Sequence, residues 1–354
     1  MTSPRELLTT VLEGGTPSRT PYSMYEWFFE DPRYVIEDWK PLLERGLGIS
    51  SSCGTVKHIV HGVTDSRKTW TEGSRRYVRL RKETPVGTLQ QVAAYPTSPD
   101  AGILGWTQED WIKTPNDYRI RQWIVEHTEL VPNYEAFDIN EARIGSQGVT
   151  IVDGSRTPAM SMLVDWAGTE RFCMDIAEGV DELFSLYEAQ KKLFMEETRL
   201  IAAGPGRFVR WLENLTISTL GPRRYEQMLL PVYQEAAPLL DRAGKRVMVH
   251  YDGALKVIRD QIARAPFHMI ESLTEPPEGD LTYDECRRAW PDKGFWANIN
   301  VELYGLPPEQ LAEAVHAKRQ RAGQRALAFE ISEDVPANWR ESVPVVLEAL
   351  EQPL

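Results

Sequence analysis

From about residue 180 onward the chain alternates short apolar runs with amphipathic stretches, and this alternation constrains the fold more than any other feature. "VDELFSLYEAQKKLFMEETRLIAA" has the apolar spacing of a long helix that ends before "GPG". "RFVRWLEN" then reads as strand, "PRRYEQMLLPVYQEAAPLLDRAG" as helix and "KRVMVHYDG" as strand. The pattern continues with helix "ALKVIRDQIARA", strand "FHMIES", helix "TYDECRRAW" and strand "GFWANIN". Helix "PPEQLAEAVHAKRQRAG", strand "RALAFEIS" and helix "PANWRESVPVVLEALE" complete it. Five consecutive strand–helix units imply a parallel sheet covered by helices. An open dinucleotide-binding sheet would want a glycine-rich turn after its first strand, but "AAGPGRF" follows a helix and no phosphate-binding loop is present. The expected fold is therefore α/β, a single (β/α)8 TIM barrel over 1–354, with its earlier units in the less regular first half.

That first half is partly β. "RRYVRLRKETPVGTLQQVAAYP" holds two strand-like runs around "ETPVGT", which predicts an inserted hairpin with a loop longer than two residues. Asp117 to His127 reads as helix. His58 and His61 sit three apart in "VKHIVHGV", where Val and Ile favour a strand, so the two rings should face opposite sides and bind nothing together. Trp27, Trp106, Trp111 and Trp123 are candidates for an aromatic pocket, with Trp111 the one assigned to substrate. A net charge of −12 argues against a nucleic-acid surface, which needs clustered Lys and Arg. No apolar run approaches a bilayer span, and the N-terminal stretch lacks the apolar core of a signal peptide. Cys53, Cys173 and Cys286 are too scattered for a disulfide framework or a Cys-rich zinc site, so a reducing cytoplasm is expected.

In such a barrel the chemistry lies at the C-terminal ends of the strands. Those ends carry Glu213 and Asn214, then His250 and Asp252, then Glu271 with Glu275 beyond, then Asn298 and Asn300, then Glu330. Each taken alone suits a helix cap or a loop. Five in succession converge, because a barrel brings its strand ends round one pocket. His250 and Asp252, two apart on a strand, should point the same way. One imidazole with several carboxylates and no thiolate suits Zn²⁺ bound by N and O donors. The predicted metal set is His250 and Glu330 with Asp252, Glu213 or Glu271 as the third ligand. Glu213, Asp252 and Glu271 are the acid–base candidates if no metal binds, and Asn214, Asn298 and Asn300 are candidate substrate contacts.

The second half also resembles the uroporphyrinogen decarboxylase superfamily. "GKRVMVHYDGAL", "IESLTEPPEGDLTYDECRRAWPDKGFWANIN" and "FEISEDVPANWRESV" carry the likeness in order and spacing, and "SPRELLTTVLEGGTPSRTPYS" is similar to the family's opening helix. The resemblance implies one barrel domain with an N-terminal extension. The Arg-rich motif of the tetrapyrrole decarboxylases is not matched by "YSMYEWFFEDPRYV". In the thiol-specific methyltransferases of the superfamily, a His-x-Cys pair stands where this chain has "HYD", and a further Cys stands near "AFEIS". Here the His is kept and both sulfurs are gone, which leaves a harder Lewis acid suited to oxygen.

The resemblance thus implies a methyltransferase that moves a methyl group from a methoxylated substrate, an aryl methyl ether above all, to the cobalt of a corrinoid. The chain lacks the Asp-x-His-x-x-Gly motif that carries a lower cobalt ligand, so a corrinoid would arrive on a partner protein. Zinc, that corrinoid-binding partner and the methoxylated compound are the expected cofactor and partners; a homodimer is allowed but not demanded. The competing expectations are a metal-independent decarboxylase-like lyase and a barrel that binds a tetrapyrrole or corrinoid without catalysis.

Overall fold

The computed structural model describes residues 2–31, 33–98, 104–215, 217–332 and 335–352. Strands β1 (Tyr22–Tyr25) and β2 (Gly48–Cys53) begin a barrel. An insertion follows, containing β3 (Val56–Val60), β4 (Thr64–Glu72), β5 (Arg75–Thr84), β6 (Gly87–Pro96), β7 (Trp106–Glu109) and β8 (Thr128–Pro132). The barrel resumes with β9 (Gly148–Gly154), β10 (Phe208–Trp211), β11 (Arg246–His250), β12 (Met269–Leu273), β13 (Gly294–Asn298) and β14 (Leu327–Glu330). It closes in the order β1-β14-β13-β12-β11-β10-β9-β2, and every neighbouring pair is parallel. The expected (β/α)8 barrel is the observed fold, and the five strands read from the alternation are adjacent in it.

Strand periodicity divides the barrel interior into layers. Ile151, Phe208, Met248, Met269, Trp296 and Ala328 pack together with Leu8, Val11 and Leu12 of the N-terminal helix Pro4–Leu12, which plugs the lower end. That helix starts at a capping box, with Ser3 and Glu6 bonding each other's backbone N–H groups. Two residues further along the same strands stand Asp153, Arg210, His250, Glu271, Asn298 and Glu330. The interior therefore changes from apolar to polar within one step of the pleat. Residues of the opposite parity, such as Val209, Trp211, Val249, Ile270 and Phe329, belong to the core beneath the helices.

The insertion is larger than the hairpin expected. β4 to β7 form a four-stranded antiparallel sheet, and β3 pairs with β8 as a separate ribbon. The hairpin is its centre, β5 with β6, and its register joins Thr84 to Gly87. The loop is thus only Pro85 and Val86, shorter than the sequence predicts, because Thr84 Oγ1 binds Gly87 O and Val86 N and tightens the turn. Gly87 stands at φ +147°, and a Cβ there would come within 2.5 Å of the Ile120 side chain, so a bare backbone is required. Ile120 lies on the insertion's helix Pro115–Glu126, which packs on the long helix Asp181–Ala203. The helix expected over "ALKVIRDQIARA" is shorter than predicted, a single 3₁₀ turn Lys256–Ile258 leading into Arg259–Arg264. Asp280 accepts the N–H groups of Leu255 and Lys256 and holds the first residues in a loop. Among the described residues no helix is long and apolar enough to cross a membrane.

Candidate active site

The polar layer is organised around Arg210, a residue the strand-end reading missed. Its guanidinium is buried at the top of β10, and it pairs side-on with Asp153 of β9 (Nε–Oδ1 2.9 Å, Nη2–Oδ2 3.1 Å). Nη1 reaches past β11 to Glu271 Oε1 of β12 at 2.6 Å. Glu271 is the carboxylate between Arg210 and His250, since its Oε2 lies 3.0 Å from His250 Nδ1. Burial by itself would raise the Glu271 carboxyl, but the Arg210 charge and the His250 bond outweigh it and hold it at about 2. An ionised carboxylate only accepts, so Nδ1 of His250 carries the proton and the ring orientation is fixed. The signal for Arg210 was in the sequence: a lone cation inside the apolar run "FVRWL" can be buried only if carboxylates meet it.

Glu330 lies at the end of β14, fully buried, and pairs in register with Asn298 on one side and Ser23 on the other. β12 and β13 separate its strand from that of His250. Nearby, the Tyr22 and Tyr304 hydroxyls are 2.5 Å apart; burial first, then Tyr304 and the Glu330 charge, push Tyr22 up.

Beside this layer opens a cleft of about 210 Å³, lined among others by Asp252, Ser272, Glu278, Asn298, Asn300 and Ser332. Oδ1 of Asp252 and Oδ1 of Asn298 are buried there with no hydrogen-bond partner among the described residues. Buried polar atoms are ordinarily satisfied, so the two carbonyl-type oxygens mark the cleft as a place for a polar ligand. Its wall is shaped by a bulge in β12: the register slips between Glu271 and Leu273, and Ser272 stands at φ +63°. That conformation brings Ser272 Oγ to accept from Asn298 Nδ2 at 2.7 Å.

The other predicted residues are placed differently. His250 turns to Glu271, whereas Asp252 lies beyond the strand end and lines the cleft, so the two do not present one joint pair. Glu213 is fully buried and accepts from Thr157 N and Oγ1 (3.2 and 3.0 Å) and from Tyr233 OH (3.0 Å). Tyr251 donates to Tyr233 at 2.9 Å, so Glu213 ends a tyrosine chain beneath the helices rather than joining Glu271. Burial lifts its carboxyl to about 7 against the pull of those bonds. Asn214, at φ +48°, accepts from Arg156 Nη1 at 2.6 Å. Asn300 ties down the loop after β12 by donating to Glu275 O at 2.9 Å, and Glu275 is itself held by Lys318 and Arg321. Trp111 is buried in the core with Lys82 Nζ 5.9 Å from its ring centre. Trp106 lies under Arg75, Trp123 stacks on His127 and Trp27 packs on Phe28, so the four rings form no common pocket. His58 meets Glu197 and His61 meets Glu129.

For the predicted metal the decisive matter is donor grouping. Among the described residues no three His, Cys, Asp or Glu side chains are gathered so as to hold an ion. Glu271 is committed to Arg210 and His250, and Asp252 faces the cleft. A centre of three protein ligands is therefore not assembled among the described side chains.

No protein-family model and no curated protein matches the sequence. The fold has a clear counterpart. A methyltransferase from Methanosarcina mazei superposes with a TM-score of 0.58 at 11% identity, covering 99% of this chain and 99% of that one. A B12-independent methionine synthase from Shewanella sp. W3-18-1 aligns more loosely, with a TM-score of 0.39 and 11% identity over 90% of this chain and 84% of that one. At 11% identity the likeness to the Methanosarcina mazei protein is one of fold alone.

Proposed function

We propose that the protein is a methyltransferase taking a methyl group from a methoxylated small molecule, an aryl methyl ether best of all, and passing it to a corrinoid on a partner protein. The observation that carries this reading is the imidazole of His250, locked against an ionised carboxylate at the polar end of an apolar barrel. The methyltransferase that shares this fold over nearly its whole length, and the sequence likeness described above, support it.

An ether oxygen leaves poorly. Its C–O bond breaks with the electron pair on oxygen, and a proton delivered to that oxygen makes a phenol or alcohol the product. The corrinoid is a co-substrate that supplies the nucleophile for the methyl carbon. His250 is the proton donor, its ring held by Nδ1–H to Glu271 and its positive charge balanced by that carboxylate. Arg210 keeps Glu271 ionised and in place. Asp252 and Asn298 offer acceptors to hydroxyls on the substrate, and the bulged Ser272 sets their spacing. A polycarboxylate such as a tetrapyrrole is the poorer fit, because Arg210 is already neutralised by two carboxylates and the cleft has no Arg among the described residues of its wall.

The test is methyl transfer from a panel of methoxyarenes to a reduced corrinoid protein, followed by the corrinoid's visible spectrum. His250→Gln should lower the rate about 10²- to 10⁴-fold with substrate affinity kept, as removal of a general acid does. Transfer at the wild-type rate in that variant, or decarboxylation of a porphyrinogen without any corrinoid, would refute the reading. Zinc is measured alongside by elemental analysis. One equivalent lost in His250→Ala would restore the metal to the mechanism and place its remaining donors outside the side chains described.

A further inference from the structure

A second cavity, of about 330 Å³, lies between the insertion and the helices that follow β9, and it shares no lining residue with the cleft at Asp252. Ligand pockets run from about 300 Å³ upward, so it has room for one small ring compound. Its charges are unevenly matched. Arg156 is paired with Asp165 at 3.0 Å, Lys82 with Asp65 at 2.8 Å, and His58 contacts Glu197 at 3.1 Å. Arg121 has no such partner: among the described residues it makes no hydrogen bond and no ion pair, and its Nε is buried. Its guanidinium carbon lies over the Trp166 ring, 4.0 Å from the ring centre, a cation–π contact that uses none of its N–H donors.

A second group points the same way. Gln190, from the helix Asp181–Ala203, lines this cavity, is only 5% exposed and has no hydrogen-bond partner for Oε1 among the described residues. A desolvated cation and a desolvated amide facing one cavity are each costly without a ligand. Val60, Ile124 and Leu193 supply apolar wall. A cation with no direct ion pair, offset only in part by the more distant Asp165 carboxylate that Arg156 also holds, a neutral amide and an apolar wall call for a monoanion with an apolar body; the Asp165 carboxylate would repel a dianion.

We infer that this cavity binds a small organic monocarboxylate, its carboxylate meeting the edge of Arg121 and its apolar body lying against Trp166 and Leu193. The site stands apart from the methyl-transfer reading, and its test needs no turnover.

The probes are benzoate, its neutral isostere benzamide and inorganic phosphate, each titrated calorimetrically into the full chain and into Arg121→Gln and Gln190→Leu. Benzoate should bind the wild type and raise its melting temperature, because a ligand of the native state stabilises it by mass action. Benzamide should bind far more weakly, and phosphate more weakly than benzoate. Arg121→Gln should lose about ten- to a hundredfold in benzoate affinity, the size of a charged hydrogen bond. Removing an unpaired guanidinium should not lower the melting point of the ligand-free protein, so this variant stays folded. Gln190→Leu should weaken benzoate less. No benzoate binding by the wild type, equal binding of benzamide, tighter binding of phosphate, or unchanged affinity in Arg121→Gln would each overturn the assignment.

Discussion

At the scale of single residues, Glu213 shows how position after a strand can mislead. It stands in sequence where a catalytic carboxylate would, yet it lies one step out of phase with the inward residues Phe208 and Arg210 and faces Thr157 and Tyr233. Its proton has a stability consequence. The carboxyl rises from 4.5 to about 7 on folding, chiefly through burial, so the folded chain takes up a proton between those values. The favourable contribution is fully present below pH 4.5 and is lost as pH rises through 7. The loss is about 3 kcal/mol from the size of the shift. Glu213→Gln should therefore gain stability relative to wild type as pH rises across that window, measured as the difference in urea midpoints. A difference that stays constant with pH would show the carboxyl already ionised in the fold. Glu271, fixed near 2, titrates below this range and leaves the measurement untouched.

At the scale of elements, legibility followed the chemistry of the inward face. β10 to β14 were readable because each is an apolar run between amphipathic helices. β1 and β2, "YSMY" and "GISSSC", were hidden because Ser23, Ser50 and Ser51 stand at buried positions where Val or Ile would be expected. His250, Glu271, Asn298 and Glu330 could be named from strand ends, whereas Arg210 and Asp153 sit inside their strands and escaped a rule that looks only at ends. Aromatic content misled in another way, since Trp111 follows β7 and fills the core instead of opening onto a cleft. Trp111→Ala should accordingly cost about 3–5 kcal/mol of stability, the usual price of a large buried ring. Urea denaturation reads this directly, and KM should hold at temperatures where the variant is folded. A raised KM with an unshifted midpoint would return the ring to the substrate.

At the scale of the whole molecule, the insertion and the barrel share one core. Tyr118, Ile120, Ile124 and Val125 of the inserted helix belong to the same packed cluster as Val209 and Trp211 of the barrel wall. The two should therefore unfold together. Far-UV ellipticity, dominated by the barrel helices, and tryptophan fluorescence, which samples both parts, should give superimposable urea curves; separated midpoints would mark the insertion as an independent unit. The closure of the barrel bears on how the protein is made. β1 joins β14 through Tyr22↔Phe329 and Ser23↔Glu330, a contact between the opposite ends of the chain. While the polypeptide emerges from the ribosome, β1 waits with one edge unsatisfied until some 300 further residues have been translated, and such edges invite pairing with other nascent chains. Glu330 rides on the last strand to arrive, so a molecule stalled before closure lacks one member of its polar ring, and the candidate site comes into being only when synthesis of the barrel is finished.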